Sequence, residues 1–229
     1  MIVNEIELDS ELYKKIGKYW VDEHYCTVNA IILNRIYEEI TKRIPENCTY
    51  EEIKELSTQL DEEELFTPFA VKIYEKLVTK INFSKCSYDY LNDLALRLKE
   101  LKLYAQAITV IKYLVGFVGQ QMDEDEWNIE AWIRAEQGLY AVLMSCQRGQ
   151  GDAQGAIDTY KSFCDKNDSY FLTSYICTSA AAAYCDLKDY KNAIRLCDQA
   201  YRLQGGSTGK FNELSLVYKR IESETGKSI

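Results

Sequence analysis

The stretch Ala180–Cys197, AAAAYCDLKDYKNAIRLC, decides how the rest of the chain is read. Four alanines and a tyrosine form one helical pattern, the polar DLKD interrupts it, and an Ala-Ile pair resumes it. Helix, tight turn and helix in so few residues describe an antiparallel hairpin, and alanine is the residue that lets two helices approach closely. Whether such a hairpin occurs once or recurs decides the whole fold, so an internal period is the first thing to seek.

The pair does recur. Aligning on Ala plus a β-branched residue gives Ala30-Ile31, Ala70-Val71, Ala107-Ile108, Ala156-Ile157 and Ala193-Ile194, at spacings of 40, 37, 49 and 37. Three segments carry more: LYAQAITVIKYL, DAQGAIDTYKSF and DYKNAIRLCDQA. Each has a turn, the pair, a packing residue four beyond the alanine (Ile111, Tyr160, Cys197) and another three further on (Leu114, Phe163, Ala200). The small residue serves the close crossing, and the later ones fill the interface with a neighbouring hairpin.

The remainder of the chain supplies only helices. With 229 residues, 47% of them hydrophobic, and only two prolines, the sequence can bury a sizeable core with little to interrupt it. Helical periodicity predicts helices at about 10–24, 27–44, 49 onward, 67–81, 87–101, 104–118, 126–148, 153–164, 169–187, 190–203 and 210–224. Thr49-Tyr50-Glu51-Glu52 reads as a capping box, and Thr67-Pro68 as a cap followed by proline at the first helical position. The expectation is an all-α chain of about eleven helices in antiparallel hairpins. It divides into an N-terminal helical region over 1–84, three hairpins over 85–204, and a C-terminal capping helix with its tail over 205–229.

These segments resemble the tetratricopeptide repeat, a helix-turn-helix unit of about 34 residues. The clearest copy has Ala181 where its first helix crosses the second, then Tyr184, the turn ending Asp189-Tyr190, Ala193 and Ala200. The next has Gly151-Asp152 and Ala156, with Met144 where a small residue is usual; the first has Ala95 and Ala107, with Leu98 replacing the aromatic. The resemblance covers about 87–204, and 1–84 reads equally as degenerate repeats or as an unrelated helical cap.

The resemblance implies an α-solenoid whose first helices line a concave groove that binds a peptide. Carried over residue by residue, the groove positions are Asp89, Asn92 and Lys99 in the first copy, Ser145 and Arg148 in the second, and Tyr175, Thr178 and Cys185 in the third. One family mode clamps a chaperone's terminal carboxylate between basic and amide side chains, and Tyr175 and Ser179 stand where basic residues would be expected. That mode is not expected here. Lys99 and Arg148 could still pair with an acidic group.

Composition excludes other classes. A net charge of −9 and a pI near 4.9 argue against nucleic acid as a partner. The charge is uneven: residues 1–80 hold 10 basic and 17 acidic side chains, a net of −7, which leaves −2 for the rest. The N-terminus reads as neither signal nor transit peptide, and the most apolar run, AITVIKYLVGFVG, is short and contains a lysine, so no membrane span is expected. Eight scattered cysteines without a CxxC read as reduced, buried small side chains in a cytoplasmic protein.

No catalytic, metal or cofactor site is expected. His24, the single histidine, lacks a nucleophile motif around it. GGSTGK at 205–210 has three residues between its glycines and Phe211 after the lysine, so it fails as a phosphate loop and reads as a helix cap. The acidic run Asp61–Glu64 reads as a solvated loop or helix start, RGQGDAQG as an inter-helix turn, and most of the 18 tyrosines as packing residues. The expected function is a non-enzymatic interaction module binding a protein or peptide segment, with a peptide- or ligand-sensing regulator as the alternative and the oligomeric state left open.

Overall fold

The computed structural model describes residues 38, 41–42, 44–54, 67–124, 128–166, 172–206 and 213–226. The first predicted helix, most of the second, His24 and the run 61–64 lie outside them. Among the described residues the protein is all-α, with one isolated parallel bridge between Cys48 and Ile81. The helices are α1 (Thr67–Val78), α2 (Tyr88–Glu100), α3 (Tyr104–Glu124), α4 (Ile129–Gly149), α5 (Ala153–Lys166), α6 (Ser174–Asp186), α7 (Tyr190–Leu203) and α8 (Glu213–Thr225), with a 3-10 turn at Phe83–Lys85. The chain forms two compact units, 1–106 and 107–229, the division falling within α3.

In the first unit the capping box forms as expected. The Thr49 N–H donates to Glu52 Oε2 at 2.9 Å and the Glu52 N–H donates to Thr49 Oγ1 at 3.2 Å, so each satisfies an orphan donor of the other. Ser87 caps α2 by accepting from the Tyr90 N–H, and its own N–H donates to Glu51 Oε1 at 2.8 Å. Lys54 pairs with Asp93 at 3.3 Å and sits 4.8 Å from the centre of the Tyr90 ring, fastening the helical turn at 50–54 to α2. The buried Lys80 ammonium donates to the Thr41 and Ile44 carbonyls at 3.0 and 2.7 Å and meets Glu46 at 3.2 Å. A cation satisfying carbonyls at a chain bend replaces the water those groups lose on burial.

In the second unit α4 packs on α5 and α6, α5 on α6, α6 on α7 and α8, and α7 on α8. Helix α6 lies among four neighbours, which explains its composition. Ile176 through Ala183 and Cys185 are all buried. A helix buried on nearly every side needs no polar face, and its alanines let the surrounding helices come close. Leu214, Val217 and Ile221 of α8 cover the edge of this group, and the Tyr140 and Phe163 rings meet at 5.1 Å between α4 and α5.

The connections after α2, α4 and α6 share one geometry at one offset from the alanine pair. Lys102, Gly151 and Lys188, each five residues before its alanine, take left-handed φ values of 61°, 83° and 60°. The N–H that follows each reaches back five residues: Leu103 to the Leu98 carbonyl at 2.8 Å, Asp152 to Gln147 at 2.9 Å and Asp189 to Tyr184 at 2.9 Å. This is the Schellman cap, which satisfies terminal carbonyls and reverses the chain. Beyond each turn Ala107, Ala156 and Ala193 are fully buried, and Ile111, Tyr160 and Cys197, and Leu114, Phe163 and Ala200, are buried with them.

Candidate functional site

Two arginines of the second unit converge on one carboxylate. Arg148 ends α4 and Asp186 ends α6; the Arg148 Nε donates to Asp186 Oδ2 at 2.6 Å, and its Nη2 to Oδ1 at a longer 3.5 Å. From the other side Arg220 of α8 donates through Nη1 to Asp186 Oδ1 at 2.5 Å and through Nε to Glu224 Oε1 at 2.7 Å. The Tyr190 hydroxyl completes the chain by donating to Glu224 Oε2 at 2.6 Å. Three helices, α4, α6 and α8, are thus tied through Asp186.

An arginine in the last turn of a helix lies at the negative end of the macrodipole, where a cation is favoured. Asp186 occupies the same kind of position with the wrong sign, and the two guanidiniums compensate. Its burial on its own would raise its pKa, but the hydrogen bonds from Arg148 and Arg220 outweigh this and hold the carboxyl below its usual range. Hydrogen bonds to Glu224 and Asp186 raise the pKa of Arg220 further above the range in which arginine titrates. Asp186 and Arg220 are therefore both charged at neutral pH.

Beside this network lies a cavity of about 490 Å³ lined by Ser145, Arg148, Gly149, Gly151, Ala153, Asp186 and Leu187. Its wall joins the end of α4, the turn through Gly151, the start of α5 and the end of α6. Leu187 is an exposed apolar side chain at its rim. The cavity is of the size that holds a side chain or a small ligand.

Of the residues selected from the sequence, Ser145 and Arg148 come together in this cavity. Tyr175, near the start of α6, is 65% exposed. Thr178 and Cys185 are only 5% and 0% exposed, so neither offers its side chain to a ligand at the surface. Cys185 is 37 residues after Arg148, the repeat offset, but the face it occupies is covered in part by α8, and the surface position falls one residue later at Asp186. In the first unit Asp89 is exposed, and Asn92 and Lys99 are partly exposed along α2.

Asp186, Leu187 and Arg220 were not legible as site residues. The one available signal was an acid in the last turn of a helix, where the macrodipole disfavours it and a compensating cation is required. These cysteines are poor nucleophiles: loss of solvent pushes the buried Cys177 and Cys197 up to about 12, and the buried Cys185 and partly buried Cys86 to about 11, so their thiols stay protonated at neutral pH. Among the described residues no group of three or more His, Cys, Asp and Glu side chains could hold a metal, and no helix is long and apolar enough to cross a membrane. No protein-family model matches the chain, and no curated protein sequence matches it.

Proposed function

We propose that this protein is a non-enzymatic interaction module of the tetratricopeptide-like kind, in which successive hairpins stack as a solenoid and their first helices bind a segment of another protein. The observation that carries the reading is the turn geometry repeated at a fixed offset from three fully buried alanines, at Lys102, Gly151 and Lys188. The same cap at the same offset from a buried alanine is what a repeated hairpin requires. The packing of α4 against α6, with Ser145 and Arg148 on one and Tyr175 and Asp186 on the other, supports a recognition face built from first helices.

The seven cysteines described are not in disulfides, which suits a reducing compartment and supports a cytoplasmic setting. Crosslinking mass spectrometry on complexes captured from the native cell tests the function. The expected result is a reproducible protein partner whose crosslinks fall on α2, α4 and α6 and whose capture is lost in Tyr175→Asp. No reproducible partner, or crosslinks confined to α3, α5 and α7, overturns it.

A further inference from the structure

We propose that Arg148 is a carboxylate-reading residue: in the cavity beside it, its guanidinium takes the side chain of an aspartate or glutamate from the bound peptide. The inference rests on the interaction-module reading and names the chemistry recognised at one point of that face.

A guanidinium carries five N–H donors in a planar fork. Arg148 gives two of them to Asp186, from Nε and Nη2, and the second of these bonds is long. Both come from the same side-on edge. The remaining donors, two on Nη1 and one on Nη2, have no acceptor among the described residues, and one N–H of each Nη forms an end-on edge that matches a second carboxylate bidentately. Arg148 lines the cavity, so that edge has room for a ligand.

Asp186 acts here as a positioning residue. It fixes the plane of the Arg148 guanidinium while Arg220, reaching across from α8, fixes Asp186. Both members of the Arg148–Asp186 pair are about a quarter exposed, at 24% and 26%, so the fork is held rigidly yet remains accessible. A preoriented fork loses less entropy when it takes a ligand than a free surface arginine does.

Charge selects a monoanion. Arg148 and Arg220 balance Asp186 and Glu224, and Lys188 adds a positive charge near Glu224. A carboxylate adds one negative charge beside the negative ends of α4 and α6, whereas a phosphate would add nearly two. Ser145, one turn before Arg148 on α4, adds a hydroxyl, and Leu187 gives an apolar contact for the residue next to the acid.

The test uses the full chain, ¹⁵N-labelled, with acetyl-Leu-Glu-Leu-amide as probe and its Leu-Gln-Leu counterpart as control. Saturable shifts of the Arg148 Nε resonance and the Leu187 amide are expected with the Glu peptide and not with the Gln peptide. Arg148→Lys, which keeps the charge but loses the fork, should weaken binding by about tenfold or more. Ser145→Glu, which places a competing carboxylate one turn away and leaves Arg148 and Asp186 in place, should weaken it likewise. Equal response to both peptides, no saturable shift at Arg148, or tighter binding of inorganic phosphate than of the Glu peptide overturns the proposal. If the Glu peptide is silent while Tyr175→Asp still abolishes partner capture, this site fails and the interaction-module reading stands.

Discussion

At the scale of single residues, Glu136 runs against the packing around it. It lies on α4, 8% exposed and without a hydrogen bond to any described residue, while burial raises its carboxyl above the usual range and only Lys166, at the end of α5, opposes this. The neighbouring Tyr140, also buried, has its hydroxyl pKa raised by the same loss of solvent, and next by Glu136. A carboxyl whose folded-state pKa is raised contributes stability below the unfolded pKa and loses it as pH rises through the folded value. Glu136→Gln should therefore stabilise the protein at pH 7 to 8 by about 1 kcal/mol, in the range of single-site gains. In urea unfolding across pH, that advantage should disappear as the medium falls below the ordinary glutamate range. A gain that persists unchanged in acid would mean that Glu136 is solvated.

At the scale of elements, the repeated turn sets each hairpin, and only one of its three copies uses the residue suited to it. Gly151 takes φ 83° with open space where a Cβ would sit, so Gly151→Ala meets backbone strain alone and should cost about 1 kcal/mol. Lys102 and Lys188 hold the same left-handed conformation with side chains that disfavour it. Lys188→Gly should stabilise the hairpin by up to about 1 kcal/mol, the relieved strain exceeding the entropy that glycine adds to the unfolded chain. Chemical denaturation of both variants checks the pair, and opposite signs are the expected outcome. These turns were partly legible: α7 begins at Tyr190 and ends at Leu203 as the periodicity required, and Gly205 and Gly206 follow with positive φ. The left-handed lysines were not, because nothing in a lysine's identity announces φ near +60°.

At the scale of the whole molecule, the terminal helix closes the second unit. Ile221 is fully buried where α8 crosses α6 and α7, and Tyr218 donates to Asp198 at 3.2 Å beside it. Ile221→Ala removes branched apolar volume from this contact and should cost about 2–4 kcal/mol. Amide exchange should show the loss of protection in α6, α7 and α8, with α2 in the first unit unchanged. Uniform loss in both units would mean that the two unfold as one.

The sequence by itself determined the helices from Thr67 onward among the described residues, the capping box at Thr49 and Glu52, and the buried alanines Ala107, Ala156 and Ala193, because caps, periodicity and small residues act over a few neighbouring positions. It also selected Arg148 and Ser145 from the repeat register. Tertiary structure decided the rest. Cys185 shares that register with Arg148 but is buried on a face that α8 in part covers, and Asp186 becomes the centre of the site because arginines 38 residues before it and 34 after it reach the same carboxylate. Local spacing places a side chain on a helix face, whereas only the packing of other helices determines whether that face is covered, charged or open.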